Sequence, residues 1–371
     1  MNVRIAILVC GFLSFFLPSC NKREESAQNS DFPTQAKGGK PTKIILMIGD
    51  GMGTSQIFAA LTANKGKLNF DRFTAIGFHK SQSFDQYVTD SGAGATAFSI
   101  GEKTNNGSIG VDAKGISQPG ILEIAESHHL ATGMVTTCSI THATPASFIA
   151  HQTSRTFGEE IANDFLKTDI DVFIGGGRNY FAKRKDGKNL LDSLKKRNYQ
   201  VAEASADIQK ITSGKLAGFT ADAEPSRVLD GRGPELLLNT QTAISILNKN
   251  PKGFFLMIEG SQIDWGAHLN DAAYMTSELI DFDRAIGAAL DFAQRDGNTL
   301  VIVTGDHETG GLTLTDGNIK AGTIEAKYST KSHTAVMIPV FAFGPGAERF
   351  IGIYENTSIF DKMMAAFGFK H

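Results

Sequence analysis

Short, unbroken apolar runs recur along the chain at 44–48, 133–136, 171–174, 254–258, 300–303 and 339–343. Runs this short and this uniformly apolar suit strands buried on both faces, as parallel strands are. The segments 120–129, 157–166, 190–197 and 235–247 instead space their apolar residues at helical intervals. Strands alternating with helices predict an α/β fold, with a largely parallel central β-sheet sandwiched between helices. No internal repeat or interior linker breaks the pattern, so residues 43–371 are expected to form one domain.

The first residues follow a different logic. Arg4 is followed by an apolar stretch over 5–16 and then by Leu17-Pro18-Ser19-Cys20. This predicts a lipoprotein-type signal peptide over 1–19, since the apolar stretch is too short to span a bilayer as a stable helix. Cleavage before Cys20 and a lipid on its sulfur would follow. Residues 20–42 are rich in Lys, Glu, Ser and Gly and read as a flexible tether. The protein is therefore expected to be exported to the periplasm or outer membrane, meeting the membrane only through Cys20.

Composition narrows the function. With 371 residues and 41% hydrophobic content the chain can bury a large core. A net charge of −3 gives no basic footprint, so no nucleic-acid partner is expected. Removal of 1–19 leaves Cys20 and Cys138, too few for a disulfide framework, and Cys138 reads as buried packing.

Several strand-like runs end in carboxylates: Asp50 follows 44–48, Glu259 follows 254–258, and Asp306-His307 closely follows 300–303. Ligands of open parallel sheets bind beyond the carboxyl ends of the strands, where these residues would converge. Taken singly, each could merely begin a polar loop. Asp264 and His268 are four residues apart and would share one face of a helical turn. His333 adds a third imidazole, and zinc accepts such nitrogen and carboxylate donors. Ser91 opens the small-residue run 91–97, so a helix starting there would offer free N–H groups to a phosphate. The alternative is a helix cap made by Ser or Asp90.

These pieces, in order, resemble the alkaline phosphatase family from about residue 43 onward. The resemblance rests on Met47-Ile48-Gly49-Asp50-Gly51-Met52-Gly53, Asp90-Ser91 with its small-residue run, Asn106-Gly107-Ser108-Ile109-Gly110-Val111-Asp112 and His142-Ala143-Thr144-Pro145-Ala146. It continues through Ala150-His151-Gln152-Thr153-Ser154-Arg155, Gly175-Gly176-Gly177-Arg178, Glu259-Gly260, 264–268, Gly305-Asp306-His307-Glu308-Thr309-Gly310-Gly311 and His333-Thr334. It implies hydrolysis of small phosphomonoesters through a phosphoserine on Ser91, with Arg155 clamping the phosphate. It further implies one zinc on Asp264, His268 and His333, a second on Asp50, Asp306 and His307, and a magnesium on Asp50, Thr144 and Glu259. A homodimer is implied as well.

Two positions depart from the best-known enterobacterial members, which carry Asp where this chain has His142 and Lys where it has Trp265. His142 cannot supply a carboxylate to water on the third ion, and Trp265 removes a cation near the phosphate. The short span 310–332 implies only a small crown insertion and an open site. His79, His128, His129 and His371 match no ligand motif, and His151 reads as structural. A phosphodiesterase, sulfatase or phosphoglycerate mutase of the same superfamily is the nearest rival, and a non-catalytic envelope lipoprotein is the rival of a different class.

Overall fold

The computed structural model describes residues 39–370. The signal peptide, Cys20, the tether as far as residue 38, and His371 lie outside the described residues. Packing begins early: Pro41 is buried, and Thr42 N–H donates to the carbonyl of Asn298.

The described strands are β1 (Lys43–Gly49), β2 (Ala75–Lys80), β3 (Ala131–Ser139), β4 (Val172–Gly176), β5 (Tyr199–Ala202), β6 (Lys215–Phe219) and β7 (Phe254–Gly260). They continue with β8 (Thr299–Gly305), β9 (Glu308–Thr309), β10 (Leu312–Asn318), β11 (Thr323–Tyr328), β12 (His333–Thr334), β13 (Ile338–Phe343) and β14 (Gly352–Glu355). Ten of them form one sheet in the order β14-β2-β13-β8-β1-β7-β3-β4-β6-β5. All neighbours in it run parallel except β13, which is antiparallel to both β8 and β2.

That exception corrects the expectation for 339–343. A parallel partner of β8 would need a crossover of a dozen or more residues to return to the starting end. Here β12 pairs with β9, just past the end of β8, and only three residues separate β12 from β13. The chain therefore re-enters the sheet from the far end and runs the opposite way. The short crown expected over 310–332 is a two-stranded hairpin, β10 with β11.

Side-chain alternation divides β1 between two cores. Ile44, Leu46 and Ile48 face one layer, and Ile45 and Met47 face the other. The first layer is covered by helices Ser91–Ile100, Ile121–Ser127 and Ser358–Phe367, which contribute Phe98, Leu122 and Phe360. The second is covered by Thr54–Ala63, Glu235–Leu247 and Ala272–Asp296, which contribute Ala59, Leu236 and Phe282. Each fully buried large aliphatic side chain contributes on the order of 1.5–3 kcal/mol.

Register then places the chemistry. β1 pairs with β7 and β8 without a shift, so Gly49, Gly260 and Gly305 lie side by side. Asp50 and Asp306 leave their strands at the same level, two residues beyond Glu259 on the strand between β1 and β3. The Gly175-Gly176-Gly177 run has a packing cause nearby. Gly177 sits at φ 87°, and a Cβ there would lie 2.0 Å from Ser139 Oγ. A Cβ on Gly176 would lie 2.3 Å from the carbonyl oxygen of Ala223. Gly177→Ala is therefore expected to destabilise the fold by about 2–4 kcal/mol, read as a lower denaturant midpoint at unchanged slope.

Candidate metal and phosphate site

Helix Ser91–Ile100 begins where the sheet ends, and both sequence readings of its start hold in part. Asp90, not Ser91, is the cap: its Oδ1 accepts from Ala93 N–H at 3.0 Å. Ser91 becomes the first helical residue, buried, with Oγ 3.3 Å from His307 Nε2. Asn106 explains its own motif, because its side-chain oxygen accepts from Asp90 N–H and its amide donates to Val88 carbonyl. Arg155 Nη1 donates to the other Asp90 oxygen at 2.9 Å, and its backbone N–H donates to Gly107. Capping, the serine and the guanidinium are thus locked into one unit.

Asp264, His268 and His333 form one cluster. Helix Gln262–His268 places His268 Nε2 3.2 Å from Asp264 Oδ2, and His333 Nε2 lies 3.6 Å from Oδ1. Each imidazole has its Nδ1 against a backbone carbonyl, Lys331 for His268 and Thr89 for His333. Carbonyls only accept, so both rings donate from Nδ1 and turn Nε2 toward the cluster, where a bound cation would displace the proton that His268 shares with Asp264. The Asp264 hydrogen bond lifts His268 to about 9. Burial alone would raise Asp264, but His268, His307 and His333 together hold it below the usual carboxylate range.

Asp50, Asp306 and His307 form the second cluster, fully buried. His307 Nε2 is 3.4 Å from Asp50 Oδ1 and 3.3 Å from Asp306 Oδ2. Burial, reinforced by neighbouring carboxylates, raises Asp50 well above its ordinary value and pushes Asp306 up to about 8. Burial and His333 hold His307 well below the imidazole range.

A third cluster gathers around Glu259. Its Oε2 accepts from the Thr136 hydroxyl at 2.6 Å, and the Thr144 hydroxyl stands beside the same carboxylate. His142 belongs here, with its ring edge-on to Trp265 at 5.9 Å between centroids. So does Cys138, read from sequence as packing: its Sγ lies 3.4 Å from Glu259 Oε2, and burial keeps it a thiol. Thr136 and Thr309 are site residues the sequence reading missed. Neither is a ligand type that stands out alone, and only the strand register reveals them. His151 is structural as expected, bonded to Gly110 carbonyl and Glu123.

Whether cations fit here is decided by the unsatisfied atoms. Both oxygens of Asp50, Oε1 of Glu259, Oδ2 of Asp306 and Nδ1 of His142 are buried without a hydrogen-bond partner. Buried polar groups are otherwise almost always paired, and so many convergent acceptors suit positive ions. The donors also fit: nitrogen with carboxylate oxygen in the first two clusters, largely oxygen in the third.

A parallel α/β sheet with three ligand clusters around a helix-terminal serine and an arginine is the architecture of a metal-dependent hydrolase. The alkaline phosphatase family profile matches residues 42–328. Alkaline phosphatase 4 of Bacillus subtilis is 36% identical, covering 85% of this chain and 86% of that protein. Alkaline phosphatase of Escherichia coli K12 is 34% identical over 89% of this chain and 87% of its own length. The solved alkaline phosphatase of the Antarctic bacterium TAB5 is 47% identical with a TM-score of 0.86, covering 90% of this chain and 100% of that one. A histidine-to-aspartate variant of that enzyme has been solved with magnesium bound. This chain belongs to the alkaline phosphatase family and is a phosphoric monoester hydrolase.

The clusters set a pH dependence for the chain stripped of cations. Asp306 titrates near 8 folded against 3.8 unfolded, and His268 near 9 against 6.5. Both bind more protons folded than unfolded, so each loses its stabilising effect as pH rises through the folded value. His79 and His142, held near 4 by burial, lie below this window. Stability in chelator is therefore expected to fall from pH 7 to pH 9, and added zinc to reverse the trend by binding the ionised site. Thermal midpoints at the two pH values, with and without zinc, measure it.

Proposed function

We propose that the chain cleaves phosphate monoesters in two in-line displacements at Ser91, with Arg155 holding the phosphate. The observation that carries this is the buried Ser91 hydroxyl 3.3 Å from His307 Nε2, at the start of a helix whose cap Asp90 also anchors Arg155. In the first step Ser91 Oγ forms a bond to phosphorus and the alcohol oxygen departs, leaving phosphoserine. In the second, water attacks phosphorus and returns the serine with release of inorganic phosphate. The free N–H groups and positive dipole end of helix Ser91–Ile100 favour the dianion at this position. Arg155 offers a planar fork that grips two phosphate oxygens, which a lysine could not reproduce.

Two zinc ions, on Asp264 with His268 and His333 and on Asp50 with Asp306 and His307, and a magnesium on Asp50, Thr144 and Glu259 would neutralise charge on the phosphate and on the entering and leaving oxygens. His142 and Trp265 stand beside the third cluster. Trp265 puts an indole where a cation would strengthen product binding, so phosphate leaves more readily. Substrates are small phosphomonoesters recognised mainly through the phosphate, and the protein acts as an exported homodimer, held in the periplasm or at the outer membrane by a lipid on Cys20.

Hydrolysis of a chromogenic phosphomonoester across pH 6 to 11 tests the reaction. Chelation should abolish the activity, and Ser91→Ala should reduce it at least about a thousandfold. Arg155→Lys should lower kcat/KM by about 10–100-fold, the worth of a charged hydrogen bond. Full activity in Ser91→Ala would remove the phosphoserine route. Separately, Trp265→Lys should lower the inhibition constant for phosphate, and an unchanged constant would remove the product-release role.

A further inference from the structure

The imidazoles of the two histidine–aspartate clusters are not fixed in the same way. His268 and His333 each have a backbone carbonyl at Nδ1. The oxygen at Nδ1 of His307 is instead the hydroxyl of Thr309, 3.2 Å away. That hydroxyl also donates to Oδ1 of Asp264 at 2.5 Å, which belongs to the other cluster. A hydroxyl has one hydrogen and two lone pairs, and a carboxylate only accepts, so the hydrogen goes to Asp264. Toward His307 the hydroxyl can then only accept. Nδ1 of His307 must carry the ring hydrogen, and Nε2 keeps its lone pair toward Asp50 and Asp306.

We infer that Thr309 is a positioning residue that serves both histidine–aspartate clusters through one hydroxyl, fixing the tautomer of His307 and the rotamer of Asp264 together. Its surroundings suit the task. Thr309 is fully buried, its N–H donates to Gly51 carbonyl, its carbonyl accepts from Gln56, and its strand pairs it with His333. A side chain held at every backbone contact cannot drift when either cluster is perturbed. The inference rests on the proposal that both clusters hold cations, and it adds that their affinities are linked through a group that touches no ion.

Cobalt(II) titration of the chelated protein, followed by visible absorption, tests it with Thr309→Val and Thr309→Ser. Valine keeps the β-branched shape and removes the hydroxyl, whereas serine restores it. Loss of such a supporting contact typically costs 10–100-fold in metal affinity. Thr309→Val is expected to weaken cobalt binding about 10–100-fold at both centres, while still unfolding cooperatively in chelator at a modestly lower thermal midpoint. Thr309→Ser should recover binding to within about threefold of the parent, on the same principle. Parent-like affinity in Thr309→Val, weakening at one centre only, or serine as weak as valine would overturn the inference. If the parent protein takes up no cobalt, the metal reading fails and this inference falls with it.

Discussion

Four carboxylates, those of Asp50, Glu259, Asp264 and Asp306, are buried at one end of the sheet with few cations of their own chain to balance them. Like charges in a weakly screened interior repel strongly, and burying an ionised carboxylate unpaired is among the costliest arrangements a fold can adopt. The site is thus poised to bind positive charge. Much of the surrounding structure is explicable as a frame that holds those four groups in place against their repulsion.

The frame is the sheet register. Because β1, β7 and β8 align residue for residue, their ends present Asp50, Glu259 and Asp306 within one small volume. The helix Gln262–His268 adds Asp264 and His268 through its periodicity, and the β9–β12 pairing brings His333 back against Thr309. Gln262 pins that helix, donating to the carbonyls of Thr137 and Pro225 and accepting from Tyr274. Glu308 pins the base of the hairpin by accepting from Gly311, Leu312, Thr334 and Gln56. Ser91 and Arg155 are joined through Asp90, and this unit is tied to the ligand clusters by His333 at the Thr89 carbonyl and by His307 at the Ser91 hydroxyl.

Much of this was legible in sequence because it depends on local pattern. The buried central strands announced themselves as apolar runs, and helix Glu235–Leu247 matches its predicted span. The strands toward the edges were harder: β5 and β6 are short and interrupted by polar residues or glycine, and β14 is half exposed. The direction of β13 could not be read from its composition, since it is set by where the hairpin returns the chain. The carboxylates and imidazoles were visible by residue type and motif order. Thr136, Thr309 and the thiol of Cys138 were not, because threonine and cysteine gain meaning only from the atoms facing them.

The most direct test of the central claim is anomalous X-ray scattering at the zinc absorption edge from crystals grown with zinc. The account predicts one peak among Asp264, His268 and His333 and another among Asp50, Asp306 and His307, with the now unpartnered oxygens of Asp50 and Asp306 turned to the ions. Absence of both peaks, with these carboxyls protonated and bonded to one another, would contradict it.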